Sequence, residues 1–225
     1  MPGERSPSSP SSPPSLPSSR GRGPGRFGGP ALGGLRIGLL GGSFNPAHDG
    51  HRFISQRAMA ALGLDAVWWL VSPQNPLKPR DGMAPLADRL ARARHLARHP
   101  RIRVTDLEQS LGTRYTVDTA AAIQTCYPKV RFVWIIGADN FCQLPQWTRW
   151  TALMQRIPVA IVTRHPYSLR AGLCQAAMRF SRARLPEATA RTLPDRDPPA
   201  WVLLHGPAHP ASATALRSRG QGLVT

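Results

Sequence analysis

Leu35-Arg36-Ile37-Gly38-Leu39-Leu40-Gly41-Gly42-Ser43-Phe44-Asn45-Pro46-Ala47-His48-Asp49-Gly50-His51 is the stretch that decides the fold. An apolar run, Leu35–Leu40, stops at two glycines, passes through a polar turn and enters a helical pattern over Gly50–Leu62. A short, continuous apolar run reads as a strand buried on both faces. Followed at once by a glycine turn and a helix, it opens a strand–helix–strand unit.

Working outward, the same alternation repeats. Ala66–Val71 and Ile102–Val104 read as strands, and Pro85–Arg98 as a helix with Pro85 in its first turn. Thr116–Cys126 reads as a helix with Thr116 as its N-cap, and Val130–Ile136 as a strongly buried strand. Trp147–Met154 reads as helical, Ile157–Val162 and Trp201–Leu204 as strands, and Thr214 onward as a last helix. Alternating strands and helices with apolar strands predict a doubly wound, mostly parallel α/β sheet covered on both faces. Such sheets bind ligands at the carboxyl ends of their strands, where the strand order reverses.

Residues 1–34 are mostly Ser, Pro, Gly and Arg. They have almost nothing to bury, so the sequence predicts a disordered tail and a domain over 35–225. No apolar run nears the roughly 20 residues of a membrane span, so no membrane partner is expected. Residues 1–30 lack a signal-peptide apolar region. The three cysteines, Cys126, Cys142 and Cys174, show no CxxC spacing. Together these features predict a reducing, cytoplasmic setting. The net charge is +17 and almost wholly arginine, the lysines being Lys78 and Lys129. A basic surface attracts phosphates. The arginine-rich stretches Arg89–Arg103 and Arg179–Arg191 contain Phe180 as their sole aromatic, so a stacking platform for single strands is not indicated and no nucleic-acid partner is expected. Most of the arginines are read either as solvated or as part of that phosphate-attracting surface. The sequence sets no limit on homo-oligomers.

Chemistry concentrates in Gly41–His51. Gly41 and Gly42 permit unusual backbone dihedrals and close approach of a ligand. The helix that follows offers free N–H groups and a positive dipole end to an anion. His48 and His51, three residues apart, can face one phosphate chain and donate ring N–H groups to it. No further ligands stand at zinc spacing, so no protein-held metal is expected. The Gly-Lys-Ser/Thr ending of a Walker A loop is missing, as is a GxGxxG fingerprint.

This segment resembles the (T/H)xGH signature of the nucleotidylyltransferase superfamily, whose fold is Rossmann-like. The wider pattern, over most of residues 35–219, resembles the bacterial nicotinate-nucleotide adenylyltransferases. Five further segments carry that resemblance: Val71–Pro79, Arg114–Thr119, Ile136–Phe141 with Leu144–Trp147, Val162–Pro166, and Ser212–Arg217. Leu77 stands where the family more often has a second proline, Ala211 where it has isoleucine, and the tail after Arg219 is short for the family.

The resemblance implies transfer of AMP from ATP to nicotinate mononucleotide, with magnesium carried by the ATP. It implies an ATP site made by Gly41, Gly42, Ser43, Phe44, His48, His51, Gly137, Asp139, Arg164, Ser212, Thr214 and Arg217. His48, His51 and Arg217 would be catalytic. Lys78, Thr116, Asp139 and Trp147 would hold the mononucleotide, Trp147 by stacking on the pyridine ring. Two alternatives stay open at this point: another nucleotidylyltransferase, such as one acting on phosphopantetheine, glycerol phosphate or choline phosphate, and an arginine-rich nucleic-acid-binding protein.

Overall fold

The computed structural model describes residues 32–74, 82–163 and 168–206. Seven strands in these residues form one sheet in the order β3-β2-β1-β4-β5-β7-β6, and every pairing is parallel. The strands are β1 (Arg36–Gly42), β2 (Ala66–Val71), β3 (Ile102–Thr105), β4 (Arg131–Gly137), β5 (Val159–Val162), β6 (Arg184–Leu185) and β7 (Trp201–Leu204). The helices are α1 (Asp49–Leu62), α2 (Leu86–Ala97), α3 (Leu107–Ser110), α4 (Thr116–Cys126), α5 (Ala138–Gln143), α6 (Trp150–Met154), α7 (Ser168–Leu173) and α8 (Gln175–Arg179).

The order runs outward from β1 to β3 on one side and from β4 onward on the other. The reversal therefore lies between β1 and β4, whose register pairs Leu40 with Ile135. Two residues beyond that pair lie Gly42 and Gly137, each the last residue of its strand. The switch point of the doubly wound sheet thus falls where the glycine turn and the Gly137-Ala138-Asp139 turn leave it.

Alternation along β2 shows how both faces are filled. Val67, Trp69 and Val71 pack into the core beneath α1 and α2 with Ile54, Ala58, Met59, Leu90 and Ala93. Trp68 points the other way and meets Tyr127 and Phe132 edge-on, with centroids 5.4 and 5.8 Å away. Each such fully buried large side chain contributes roughly 1.5–3 kcal/mol relative to exposure. Trp68, Trp69, Trp134 and Trp201 are buried; Trp150 is half-buried, edge-on to Phe180 beneath the Arg179 guanidinium.

Several element boundaries differ from the sequence reading. Pro85 caps α2 and does not enter it. Tyr115, not Thr116, is the N-cap of α4. The reason is a helix start fixed by Thr119 N donating to Tyr115 O at 3.0 Å and a Thr113–Thr119 hydroxyl pair at 2.8 Å. Trp147 lies outside α6, because a 3-10 turn over Leu144–Gln146 and a left-handed Arg149 (φ 53°) delay that helix to Trp150. A 3-10 segment over Glu187–Asp195 was not legible in advance. It packs Leu193 and Ala190 onto the α1 face of the sheet. The helix expected from Thr214 lies outside the described residues. Among the described residues no helix is long and apolar enough to cross a membrane.

Candidate active site

The site is built first by the turn between β1 and α1. Gly41 is required by packing: a Cβ there would come within 2.8 Å of the Trp134 indole on the neighbouring strand. The unusual dihedral expected of the two glycines falls on Phe44 instead, at φ 47°. That left-handed conformation costs about 1–3 kcal/mol and persists only where the surroundings hold it. Here they do. Phe44 is 1% exposed and lies between Trp69 and His51, with centroids 5.1 and 4.5 Å away.

His48 is the N-cap of α1 and His51 stands one turn in, so both rings crowd the helix N-terminus, 3.9 Å between centroids. The His48 backbone N–H donates to Nδ1 of His51 at 3.2 Å. An amide can only donate, so this contact leaves the lone pair on Nδ1 and the proton of a neutral ring on Nε2. The same Nδ1 lies 3.2 Å from His48 O, to which an Nδ1–H tautomer or a doubly protonated ring donates instead. One turn on, the Ser55 hydroxyl donates to His51 O and accepts from Trp69 Nε1, each at 2.8 Å. The His51 ring is thereby fixed from its backbone, its face and its Nδ1.

A second group of residues surrounds the loop that follows β2. Arg89, on α2, is 2% exposed. It donates to the carbonyls of Ser43 and Ser72 at 2.7 Å, and of Pro73 and Ala84 at 2.9 Å. Burial lowers its pKa from the usual guanidinium value. Glu108, buried on α3, is pushed up to about 7 by desolvation, against a lowering hydrogen bond from the Ser72 side chain. Asn45 closes the arrangement: its Nδ2 donates to Gly82 O at 2.9 Å, and Ala84 N donates to its Oδ1 at 3.3 Å.

The remaining described candidates sit on the other side of the switch point. Asp139 is half-buried in the first turn of α5, directly after Gly137. Thr116 begins α4, and Trp147 is half-buried before α6. Arg149 ties these two segments together. It pairs with Asp118 of α4, and its guanidinium lies 5.9 Å from the Tyr115 ring centroid. Arg114 approaches the same ring at 5.7 Å. Lys78, Arg164, Ser212, Thr214 and Arg217 lie outside the described residues.

Sequence reasoning missed Arg89, Glu108 and Arg149. Arg89 stands in an arginine-rich stretch read as solvated, and its distinguishing signal was its place among the apolar positions of α2, beside Leu90 and one turn before Ala93. Other arginines are also structural. Arg36 and Arg131 share Asp195, each at 2.6 Å, and Arg57 pairs with Glu187 at 2.6 Å.

Known proteins resemble this chain in sequence and in fold. The model of the cytidylyltransferase-like family matches residues 39–219. A probable nicotinate-nucleotide adenylyltransferase of Parvibaculum lavamentivorans is 52% identical over 187 residues, covering 83% of this chain and 93% of the relative. A protein of the same name from Cereibacter sphaeroides is 51% identical, covering 82% and 97%. Among solved structures, the Plasmodium falciparum nicotinic acid mononucleotide adenylyltransferase complexed with NaAD superposes with a TM-score of 0.61 over 82% of this chain and 83% of that one. At 16% identity it speaks to the fold alone.

Proposed function

The chain belongs to the cytidylyltransferase-like family and, within it, to the nicotinate-nucleotide adenylyltransferases, and from that premise we propose that it transfers the AMP moiety of ATP to nicotinate mononucleotide, giving deamido-NAD and pyrophosphate. The observation that carries this reading is the histidine pair at the N-terminus of α1, at the switch point of the sheet.

A phosphate oxygen of the mononucleotide attacks the α-phosphorus of ATP, and the bond to the bridging oxygen breaks as pyrophosphate leaves. The nucleophile is already an anion, so no general base and no covalent enzyme intermediate are needed. Catalysis rests on alignment and on neutralising charge at the α-phosphate and the departing group.

His48 and His51 donate ring N–H groups to α- and β-phosphate oxygens, aided by the free N–H groups of α1. Gly41, Gly42, Ser43 and Phe44 form the floor beneath the triphosphate. Ser212, Thr214 and Arg217 hold the β,γ-phosphates, and Arg164 the adenosine side. Gly137 allows close approach, and Asp139 accepts from ribose hydroxyls. Lys78 takes the mononucleotide phosphate, while Thr116 and Trp147 contact the pyridine ring. ATP enters as its magnesium complex, with the ion carried by phosphate oxygens and water.

The test is pyrophosphate release with ATP and a panel of acceptors: nicotinate mononucleotide, nicotinamide mononucleotide, phosphopantetheine, glycerol phosphate and choline phosphate. Release specific to nicotinate mononucleotide is expected. Faster release with a non-pyridine acceptor would replace the reading with a different transferase.

A further inference from the structure

Arg89 is a buried cation whose donors go to four neutral backbone carbonyls and, among the described residues, to no carboxylate. Those carbonyls belong to three separate segments. Ser43 follows β1, Ser72 and Pro73 follow β2, and Ala84 precedes α2. The guanidinium has five N–H donors in a rigid fork, and this geometry uses Nε and both terminal nitrogens. Burying a charge is costly unless it is well hydrogen-bonded. A core position on α2 filled by leucine would avoid that cost but leave four carbonyls without these donors.

The same three segments are stitched a second time, independently of Arg89. Ser72 N donates to Gly42 O at 2.9 Å, Asn45 bonds Gly82 and Ala84, and Glu108 takes a hydrogen bond from the Ser72 side chain. The loop after β1 and the described ends of the loop after β2, at Ser72 and Pro73 and at Gly82 and Ala84, therefore form one cross-bonded unit with the guanidinium at its centre.

We infer that Arg89 is a positioning residue that sets the spacing between the loop facing the triphosphate and the loop facing the acceptor phosphate. The inference deepens the transferase reading and rests on it for the identity of the two loops. Ser43 O is fixed one residue before the left-handed Phe44, whose ring stacks on His51. Ser72 and Pro73 begin the loop on the acceptor side. An in-line displacement needs its two reactants aligned to a few tenths of an ångström, and a displacement of about 1 Å costs on the order of 10²-fold in rate. A single rigid fork that holds both loops keeps that alignment before substrates arrive.

The experiment compares Arg89→Lys with Ala93→Gly, a buried change one turn further along α2 that touches none of the carbonyls. Lysine keeps the charge but replaces the planar fork with one ammonium, which cannot span three segments. At matched folded fraction, Arg89→Lys is expected to lower kcat about 10²-fold and to raise KM for ATP and mononucleotide together; Ala93→Gly should leave kcat within about twofold while lowering Tm through its backbone effect. Equal kcat in the two variants, or a KM change confined to one substrate, overturns the coupling role. Arg89→Gln serves if the lysine variant does not fold. Hydrogen exchange on the wild-type chain supplies an arm that needs no substrate: the amides of Ser72 and Ala84 should open with one shared free energy, as members of a single cooperative unit. Separate opening energies overturn the inference even if the transferase activity is confirmed, and shared opening upholds the coupling even if the acceptor proves to be something else.

Discussion

The side of the switch point proposed for the triphosphate and the side proposed for the pyridine ring are built on different principles. Gly41–His51 is one continuous stretch, cross-bonded to itself and buried at Phe44 (1% exposed), His48 (7%) and Ser43 (8%). The ring side joins two stretches about thirty residues apart, Tyr115–Asp118 and Trp147–Arg149. It is half-exposed, with Arg149 and Asp118 side chains 53% and 41% accessible. The difference teaches where rigidity is needed. Donors to developing negative charge act through preorganisation and must not reorganise during reaction. A ring that binds and leaves unchanged needs only a face and a charge environment, and an exposed ion pair contributes at most about 1 kcal/mol to stability.

The comparison breaks first at His51. Replacing it by alanine should lower kcat about 10²–10³-fold, with far-ultraviolet circular dichroism and α1 intact. Wild-type turnover in the folded variant would mean that the buried side is scaffolding and the chemistry lies elsewhere.

Acid over amide comes next. No acidic residue lies between Asn140 and Trp150, while Arg114 and Arg149 flank Tyr115. The helix dipole expected near Trp147 contributes little, since α6 begins at Trp150 and has five residues. Arg149 is paired with Asp118, so the positive charge that takes its place is that of Arg114. Losing one charged hydrogen bond costs about 1.5–3 kcal/mol, so kcat/KM for nicotinate mononucleotide should exceed that for the nicotinamide form at least tenfold. Equal efficiencies would make the ring side indifferent to charge.

Trp147→Ala sharpens the same side. Aromatic stacking beyond area is worth about 0.5–1.5 kcal/mol, which predicts a several-fold to tenfold rise in KM for the mononucleotide with KM for ATP unchanged. A rise confined to ATP would move Trp147 to the adenosine side.

Glu108 probes the buried side by pH. Its folded pKa, about 7, stands above the ordinary value of 4.5. Between those values the folded chain holds a proton that the unfolded chain has released, so stability falls as pH rises through this window. Glu108→Gln should stabilise the protein at pH 8 by about 1–3 kcal/mol, and the gain should vanish below about pH 4.5. Urea melts across pH measure it, and a gain that persists at pH 4 would assign the effect to packing. The smallest effect is expected from deleting residues 1–31. Nothing in their composition can form a core, so kcat and Tm should hold; a marked loss in either would make the tail a working part of the site.

The sequence by itself determined the sheet and the glycine–histidine turn at its switch point. Ala66–Val71, Thr116–Cys126 and Trp201–Leu204 were readable to the residue, because apolar runs and helical periodicity are local consequences of burial. His48 and His51 were readable because their partners lie within one helical turn. The tertiary structure alone decided that Gly41 serves Trp134, that Phe44 carries the backbone strain, and that Arg89 is a buried clamp and not a solvated cation. It also decided that Arg149 closes the ring side onto α4. Each of these depends on atoms from strands or helices far apart in the chain. An arginine's own neighbours in sequence do not tell whether water or four carbonyls will solvate it; only the packing of α2 against the ends of β1 and β2 does.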